Sequence, residues 1–166
     1  MKKILFTIFA LFLFTGCTTK INEIFAKDKT YIKLTQYTQR GAIIKSLETD
    51  SLINATYLNP ILSENNETKN FDIFIIGVYN ANDYRGYEKG GINNPDYNLT
   101  LNDQPFIKAT KADIIKLNLK EYPFYNNWMK YYKVYFNKTT SSILTLKYTH
   151  KNIGSTTLQI ERTFDK

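Results

Sequence analysis

Residues Phe71–Tyr79 read FDIFIIGVY, and this almost continuously apolar run decides the fold class. A short run of this kind, rich in Ile, Val and aromatic residues, is typical of a strand that is buried on both faces. We therefore predict that it forms a central strand of a β-rich domain.

Shorter segments on both sides of this run alternate apolar and polar residues, with turn residues between them. They predict strands at Tyr31–Tyr37, Leu52–Leu58, Tyr97–Asn102, Phe106–Lys111, Ile114–Leu119 and Trp128–Asn137. Leu52–Leu58 is also compatible with a helix that begins at Ile43. A long loop, Asn80–Asp96, is predicted after the central strand.

The chain ends in a predicted hairpin around the turn Lys151–Gly154. The apolar residues that share one face of it are Leu144, Leu146, Tyr148, Leu158 and Ile160. Seven or eight strands with no internal repeat indicate one domain, residues 30–166, folded as an all-β, immunoglobulin-like antiparallel sandwich. The 13 Tyr and 11 Phe fit β structure, although A/T-rich codon usage would enrich the same residue types.

The N-terminus reads MKKILFTIFALFLFTGC, with two lysines followed by the apolar stretch Ile4–Phe14. As a helix this stretch would be about 16 Å long, against about 30 Å for the hydrocarbon core of a bilayer. It is therefore too short to span, and it fits the apolar region of an export signal.

Phe14-Thr15-Gly16-Cys17 resembles the lipobox of bacterial lipoproteins, although Leu is commoner at the position of Phe14. The resemblance implies that residues 1–16 are a cleaved signal peptide and that Cys17 carries the lipid. Two or three acyl chains would anchor the protein essentially permanently. Thr18, rather than Asp, follows the cysteine, which favours the outer membrane in families that sort lipoproteins. Residues 17–29 are then the lipidated N-terminus and tether, unless Ile21, Ile24 and Phe25 form a helical turn against the domain.

The body is also similar to small lipoproteins of ε-class proteobacteria to which no activity is assigned. The phrases that carry this resemblance are Ala55–Pro60 (ATYLNP), Asn94–Thr100 (NPDYNLT) and Trp128 with Tyr131-Tyr132. It implies an immunoglobulin-like lipoprotein and adds no chemically specific motif.

Two Asn-x-Thr sequences, at Asn66 and Asn98, are preceded by an acid two residues earlier. This pattern resembles the acceptor sites of the bacterial oligosaccharyltransferases known in ε-class species. Asn66 is the favoured site because Ser63–Asn70 is polar, without apolar periodicity, and predicted to be a flexible loop. Asn98 lies in a predicted strand, where access is poor. The alternative is that an Asn-rich chain produces such matches by chance.

An aromatic cluster surrounds the only tryptophan, Trp128. We interpret Tyr125, Trp128, Tyr131 and Tyr132 as a possible binding patch, because exposed Tyr and Trp offer a large contact area at low entropic cost. The alternative is ordinary core packing.

Few residues are suited to catalysis or to metal binding. Cys17 and His150 are single, and no Gly-x-Ser-x-Gly motif accompanies the histidine, so we expect it to be structural or solvated. Asp83, Glu88, Asn93 and Asp96 offer oxygen ligands in the long loop, but their spacing fits no EF-hand and a solvated loop is expected. We therefore expect no metal, no cofactor and no enzymatic activity.

The charge balance is basic, with a formal net charge of +7 that becomes +5 when residues 1–16 are removed. Lys108, Lys130, Lys133 and Lys147 alternate along strands, which is typical of a solvated sheet face. Attraction to anionic headgroups is the alternative. Nucleic acid is not an expected partner outside the cytoplasm.

These features predict a non-enzymatic envelope lipoprotein that binds an envelope protein, a glycan or a host surface, or that has a structural or accessory role in the envelope. The alternative is a glycan-acting hydrolase whose carboxylate pair the sequence does not reveal.

Replacing Cys17 with Ala tests the lipid anchor. Without the thiol that accepts the diacylglyceryl group, we expect an unprocessed precursor that incorporates no labelled palmitate in growing cells. Normal processing and labelling of this variant would contradict the prediction.

Overall fold

The computed structural model of the chain describes residues 29–62 and 64–162, and its main regular structure is nine strands in two antiparallel sheets. The predicted signal peptide, Cys17 and the tether before residue 29 lie outside the described residues. Within the described ranges, no helix is long and apolar enough to cross a membrane.

Five strands form the larger sheet, in the order β1-β2-β3-β7-β6, and four form the smaller one, in the order β5-β4-β8-β9. The strands are β1 (Thr38–Lys45), β2 (Glu48–Tyr57), β3 (Phe71–Asn80), β4 (Tyr97–Leu101), β5 (Gln104–Pro105), β6 (Lys108–Lys111), β7 (Lys130–Asn137), β8 (Ile143–His150) and β9 (Gly154–Glu161). Among the described residues, the α-helices are α1 (residues 29–36) and α2 (Asn66–Asn70), and single 3-10 turns lie at Gly91–Asn93 and Leu119–Glu121.

The run that decides the fold class is β3, the central strand of the larger sheet. Its Ile76 lies opposite Ala55 of β2 and Tyr132 of β7, so both of its edges are paired. Seven consecutive residues of β3, from Asp72 to Val78, are buried, which confirms the predicted burial on both faces.

The inward faces of the two sheets enclose the main core. The larger sheet contributes Phe74, Ile76 and Val78 from β3, and the smaller sheet contributes Leu99 of β4 and Leu144 of β8. Because apolar residues of both sheets meet in one cluster, the mostly β structure agrees with the predicted antiparallel sandwich.

A second, smaller cluster covers part of the outer face of the larger sheet. Ile73 and Ile75, which alternate with the inward residues of β3, pack there against Ala112 and Leu119. The chain between β6 and β7 therefore forms a third layer over this part of the sheet.

The C-terminal hairpin is confirmed. β8 and β9 pair from Ile143 with Glu161 to His150 with Gly154. The five apolar residues predicted to share a face are all buried in the main core. Leu52–Leu58 falls largely in β2, so the helical alternative for that segment is wrong.

The predicted strand Tyr31–Tyr37 is wrong, because residues 29–36 form α1. Leu34 is buried there while Ile32 is exposed, so the two residues expected on one strand face are separated. The hydroxyl of Thr35 donates to the carbonyl of Tyr31 at 2.9 Å, a local bond made across one helical turn.

The predicted strand Ile114–Leu119 is also wrong, because this segment is a series of turns. The carboxylate of Asp113 accepts hydrogen bonds from the backbone N–H groups of Ile115 and Lys116, each at 3.0 Å. These donors are then not available to a sheet, which is how Asp favours turns over strands.

The predicted strand Phe106–Lys111 is divided, because the chain crosses here between the sheets. β5 ends at Pro105 in the smaller sheet, and β6 begins at Lys108 in the larger one. Pro105 lies on an edge strand, where its missing N–H is tolerated.

One buried carboxylate joins the two sheets at the start of β3. Both oxygens of Asp72, which is 0% exposed, accept from Nη2 of Arg162 at 2.7 Å, and the side chain of Arg162 is 8% exposed. The Tyr57 hydroxyl donates to Asp72 Oδ1 at 2.9 Å, and the backbone N–H of Thr139 donates to Oδ2 at 2.9 Å. Lys138 Nζ lies 3.4 Å from Oδ1. The carboxylate thus connects β2 and β3 to the β7–β8 connection and to the residue that follows β9.

Burial raises the pKa of Tyr57, and the negative charge of Asp72 raises it further. Since the folded-state pKa lies above the unfolded value of about 10, this tyrosine stabilises the fold fully below about pH 10. Its contribution is lost as the pH rises above that value.

Asp72→Asn tests the buried ion pair. We expect a loss of about 3–5 kcal/mol in the free energy of unfolding, because the substitution leaves Arg162 buried without its carboxylate. Urea denaturation followed by circular dichroism measures the change. The matched control is Glu64→Gln, which removes an exposed ion pair with Lys69 and should leave the midpoint unchanged. Equal midpoints for the two variants would contradict the assigned role of Asp72.

Candidate binding groove

The third layer covers only part of the outer sheet face, and the uncovered part is a groove of about 630 Å³. We call it the aromatic groove. Ala42 of β1 and Leu52 and Asn54 of β2 lie at the sheet, and Tyr79, Phe124 and Trp128 supply aromatic rings. Register explains the position of the sheet residues, since Leu52 lies opposite both Ala42 and Tyr79.

A smaller cleft of about 240 Å³ adjoins the aromatic groove and shares Tyr79 and Trp128 with it. Tyr84, 91% exposed, is a further aromatic residue of this side cleft. Five of the twelve exposed large hydrophobic side chains of the described chain line one or both cavities, so exposed apolar surface is concentrated here. They are Leu52, Tyr79, Tyr84, Phe124 and Trp128. Concentration of this kind marks an interaction site.

Asn54 fixes the loop that carries Phe124. Its amide Nδ2 donates to the carbonyl of Phe124 at 2.7 Å and lies 3.2 Å from the sulfur of Met129. Phe124 has φ of 60°, a left-handed conformation that costs a non-glycine residue about 1–2 kcal/mol. A strained residue held by a buried side chain is typical of functional sites.

Asn126 and Tyr131 fix the position of Trp128. The Asn126 side-chain oxygen accepts from the backbone N–H of Trp128 at 2.8 Å, and the backbone N–H of Asn126 donates to the Tyr131 hydroxyl at 2.8 Å. The Tyr131 ring lies directly on Gly77, where a Cβ would be 2.5 Å from it. The ring of Tyr125 stacks on that of Tyr131 with centroids 5.2 Å apart.

Arg40 is the charged residue of the aromatic groove. Its guanidinium carbon lies 5.1 Å from the centre of the Phe124 ring, within cation–π distance. Among the residues that the structure describes, no Asp or Glu lines this groove.

Asp83 organises the long loop at the side cleft. Its carboxylate accepts from the backbone N–H of Gly91 at 2.7 Å and from Arg85 Nε at 2.8 Å, and Lys130 Nζ lies 3.7 Å away. Burial raises the pKa of Asp83, but the bonds from Arg85 and Gly91 and the charge of Lys130 outweigh it and lower the pKa overall. This carboxylate therefore stabilises the loop above the ordinary Asp pKa of about 4, and less as the pH falls.

Gly91 lets this loop pack tightly against the core. It has φ of 61°, and a Cβ there would lie 2.3 Å from the Tyr132 hydroxyl. That hydroxyl donates to the carbonyl of Gly90 at 2.9 Å, so the loop is bonded directly to β7.

The structure separates the four residues of the predicted aromatic patch. Trp128 is 80% exposed and Tyr125 is half-buried, but Tyr131 and Tyr132 are 3% and 1% exposed. Tyr131 and Tyr132 are core residues, so their inclusion in an exposed patch is wrong. In a strand that is buried on both faces, neighbouring tyrosines are both enclosed.

Sequence reasoning missed Arg40, Leu52, Tyr79 and Phe124 as partners of Trp128. Asn54 could have indicated the position of the site, because a polar residue within the apolar part of β2 marks the outward face of that strand. The pairing of distant segments was not readable from the sequence.

The segment around Asn66 is more ordered than predicted. Asn66 begins α2, and Asn65 caps that helix in a reciprocal capping box with Thr68. The expectation of a flexible loop is therefore wrong for Asn66–Asn70, although the side chain of Asn66 is exposed. Thr68 is buried. Asn98 lies in β4, which confirms the predicted strand, but it is exposed there. Glycosylation of either residue stays a prediction.

His150, Asp96 and Asn93 have protein partners. His150 Nδ1 accepts from the backbone N–H of Asn152 at 3.1 Å, and its ring packs against Tyr97. Asp96 pairs with Lys151, and Asn93 donates to the carbonyl of Tyr87. In residues 29–62 and 64–162, no group of three or more His, Cys, Asp or Glu is placed to hold a metal ion.

The alternating lysines are only partly solvated. Lys108 and Lys147 are exposed, but Lys130 and Lys133 are half-buried. Lys130 approaches Asp83, and Lys133 pairs with Glu67 at 3.2 Å.

Comparisons of the chain with protein-family models, with curated proteins and with solved structures find no match.

Proposed function

We propose that this protein is a non-enzymatic envelope lipoprotein that binds a glycan chain in the aromatic groove. The observation that carries the proposal is the row of exposed rings, Tyr79, Phe124 and Trp128, around a concave site. Sugar rings have apolar C–H faces that pack well on aromatic rings, and such rings are effective binding residues.

The polar groups of the groove suit the same ligand. The Asn54 side-chain oxygen and the Asn126 amide nitrogen form no hydrogen bond with the described residues, whereas their other side-chain atoms hold the loop in place. One of these groups accepts and the other donates, and sugar hydroxyls do both. A lipid chain would have no use for either group, so a glycan fits better than an acyl chain.

Binding fits the groove better than hydrolysis. Glycoside hydrolysis ordinarily needs two carboxyl groups about 5–9.5 Å apart. No carboxylate of the described residues lines the aromatic groove, and Asp83 of the side cleft is engaged by Arg85 and Gly91. The hydrolase alternative would need a site elsewhere.

We also propose that the domain is an immunoglobulin-like sandwich anchored at the outer membrane. Lipidation at Cys17 would hold the domain at the outer membrane, where glycans are plentiful. Two antiparallel sheets with a shared core support an immunoglobulin-like sandwich.

Trp128→Ala tests the proposed function. The wild-type protein should bind oligosaccharides on a glycan array, and the variant should lose about tenfold or more in affinity, because a central aromatic residue commonly contributes over 1 kcal/mol. Isothermal titration with the best array ligand gives the affinities.

The matched control is Tyr31→Ala, which removes an exposed aromatic side chain from α1, outside the groove. It should bind as the wild type does. Failure of the wild type to bind any glycan would overturn the proposed function, as would equal losses for the two variants.

A further inference from the structure

We infer that the aromatic groove selects acidic glycans, and that Arg40 binds a sugar carboxylate there. This inference rests on the proposed function and adds the class of ligand. It depends on which of the three arginines of the chain pair with carboxylates of the protein.

Two of the three arginines bind carboxylates of the protein itself. Arg85 Nε lies 2.8 Å from Asp83, and Arg162 Nη2 lies 2.7 Å from both oxygens of Asp72. Arg40 makes no ion pair with any carboxylate of the described residues. Its guanidinium carbon lies instead over the Phe124 ring, 5.1 Å from the ring centre.

Arg40 lies where its unpaired positive charge can reach a ligand bound in the aromatic groove. Arg40 lies opposite Asn54 in the pairing of β1 with β2, and both residues line the aromatic groove. Asn54 in turn holds the Phe124 carbonyl at 2.7 Å. A ligand bound in the aromatic groove would therefore lie near the guanidinium, which covers one face of the Phe124 ring.

The contact with Phe124 prepares the guanidinium for a ligand. A cation–π contact uses none of the five N–H donors, so these stay available for oxygen atoms. Holding a long side chain on a ring also reduces the entropy that binding would cost. The planar guanidinium matches the two oxygens of a carboxylate.

Charge balance favours a carboxylate over a phosphate. The second cation near the groove, Lys130, is engaged with Asp83 at its carboxylate and at its carbonyl. One unpaired guanidinium neutralises one carboxylate, whereas a phosphate group carries up to two charges and usually binds to several donors. The fitting ligand is therefore a glycan with a uronic or sialic acid residue beside a neutral sugar.

The test compares acidic and neutral ligands on the full-length protein. The probes are 3′-sialyllactose with lactose, and oligogalacturonate with its carboxyl-reduced form. Fluorescence of Trp128, the only tryptophan, reports binding. We expect the wild type to bind at least one acidic ligand about tenfold more tightly than its neutral partner, as a charge-assisted hydrogen-bonded pair implies.

Arg40→Gln should abolish this preference while retaining the binding of the neutral ligand. Arg40→Lys should retain only part of it, because an ammonium group lacks the planar pair of donors. The control is Lys147→Gln, which removes an exposed charge from β8 in the other sheet and should keep the full preference.

Three results would overturn the inference. Equal affinity of the wild type for acidic and neutral members of each pair would refute it and leave the proposed function standing. Tighter binding of a phosphorylated oligosaccharide than of both carboxylated ones would assign Arg40 to phosphate instead. Equal loss of preference in the Lys147 and Arg40 variants would show that general surface charge is responsible.

Discussion

The buried ion pair between Asp72 and Arg162 is the constraint on which the two-sheet arrangement depends. A carboxylate without access to water is tolerated only when cations and hydrogen-bond donors surround it. Here those groups come from β2, from the β7–β8 connection and from the residue after β9. The carboxylate is therefore satisfied only when both sheets are in place, and it fixes the end of the sandwich at which β3 begins.

The groove follows from the way in which β3 is enclosed. Its inward residues fill the core between the sheets, and Ile73 and Ile75 on the other face require separate cover. The chain between β6 and β7 supplies this cover near those residues and leaves Leu52 and Tyr79 partly exposed. The edge of the cover holds Phe124 and Trp128. The aromatic groove thus lies at the border between the covered and the uncovered part of the outer sheet face.

The sequence predicted the parts of this structure that depend on local patterns. Phe71–Tyr79 and the C-terminal hairpin were predicted correctly because their periodicity and burial coincide. α1 was mistaken for a strand because the apolar residues Ile32 and Leu34 are separated by one polar residue, as on one face of a strand. Ile114–Leu119 was mistaken because the carboxylate of Asp113 binds the backbone N–H groups that a strand would use.

The site was less predictable than the fold. Trp128 was identified, but the Tyr131 and Tyr132 beside it are buried, and no local pattern distinguishes exposed from buried aromatics in such a segment. Arg40 and Phe124 are distant in sequence and meet only because the third layer approaches β1. The sequence does not show which arginines are already paired within the protein. The structure shows that Arg162 pairs with Asp72 and that Arg85 pairs with Asp83.

We expect a ligand to contact Trp128 on the outer face of the larger sheet. A two-dimensional ¹⁵N–¹H spectrum reports this directly, because the single tryptophan gives one indole N–H signal. Titration with an oligosaccharide that binds should shift this signal together with the backbone amides of Asn54 and Asn126. An indole signal that stays in place while amides of the smaller sheet shift would contradict the account.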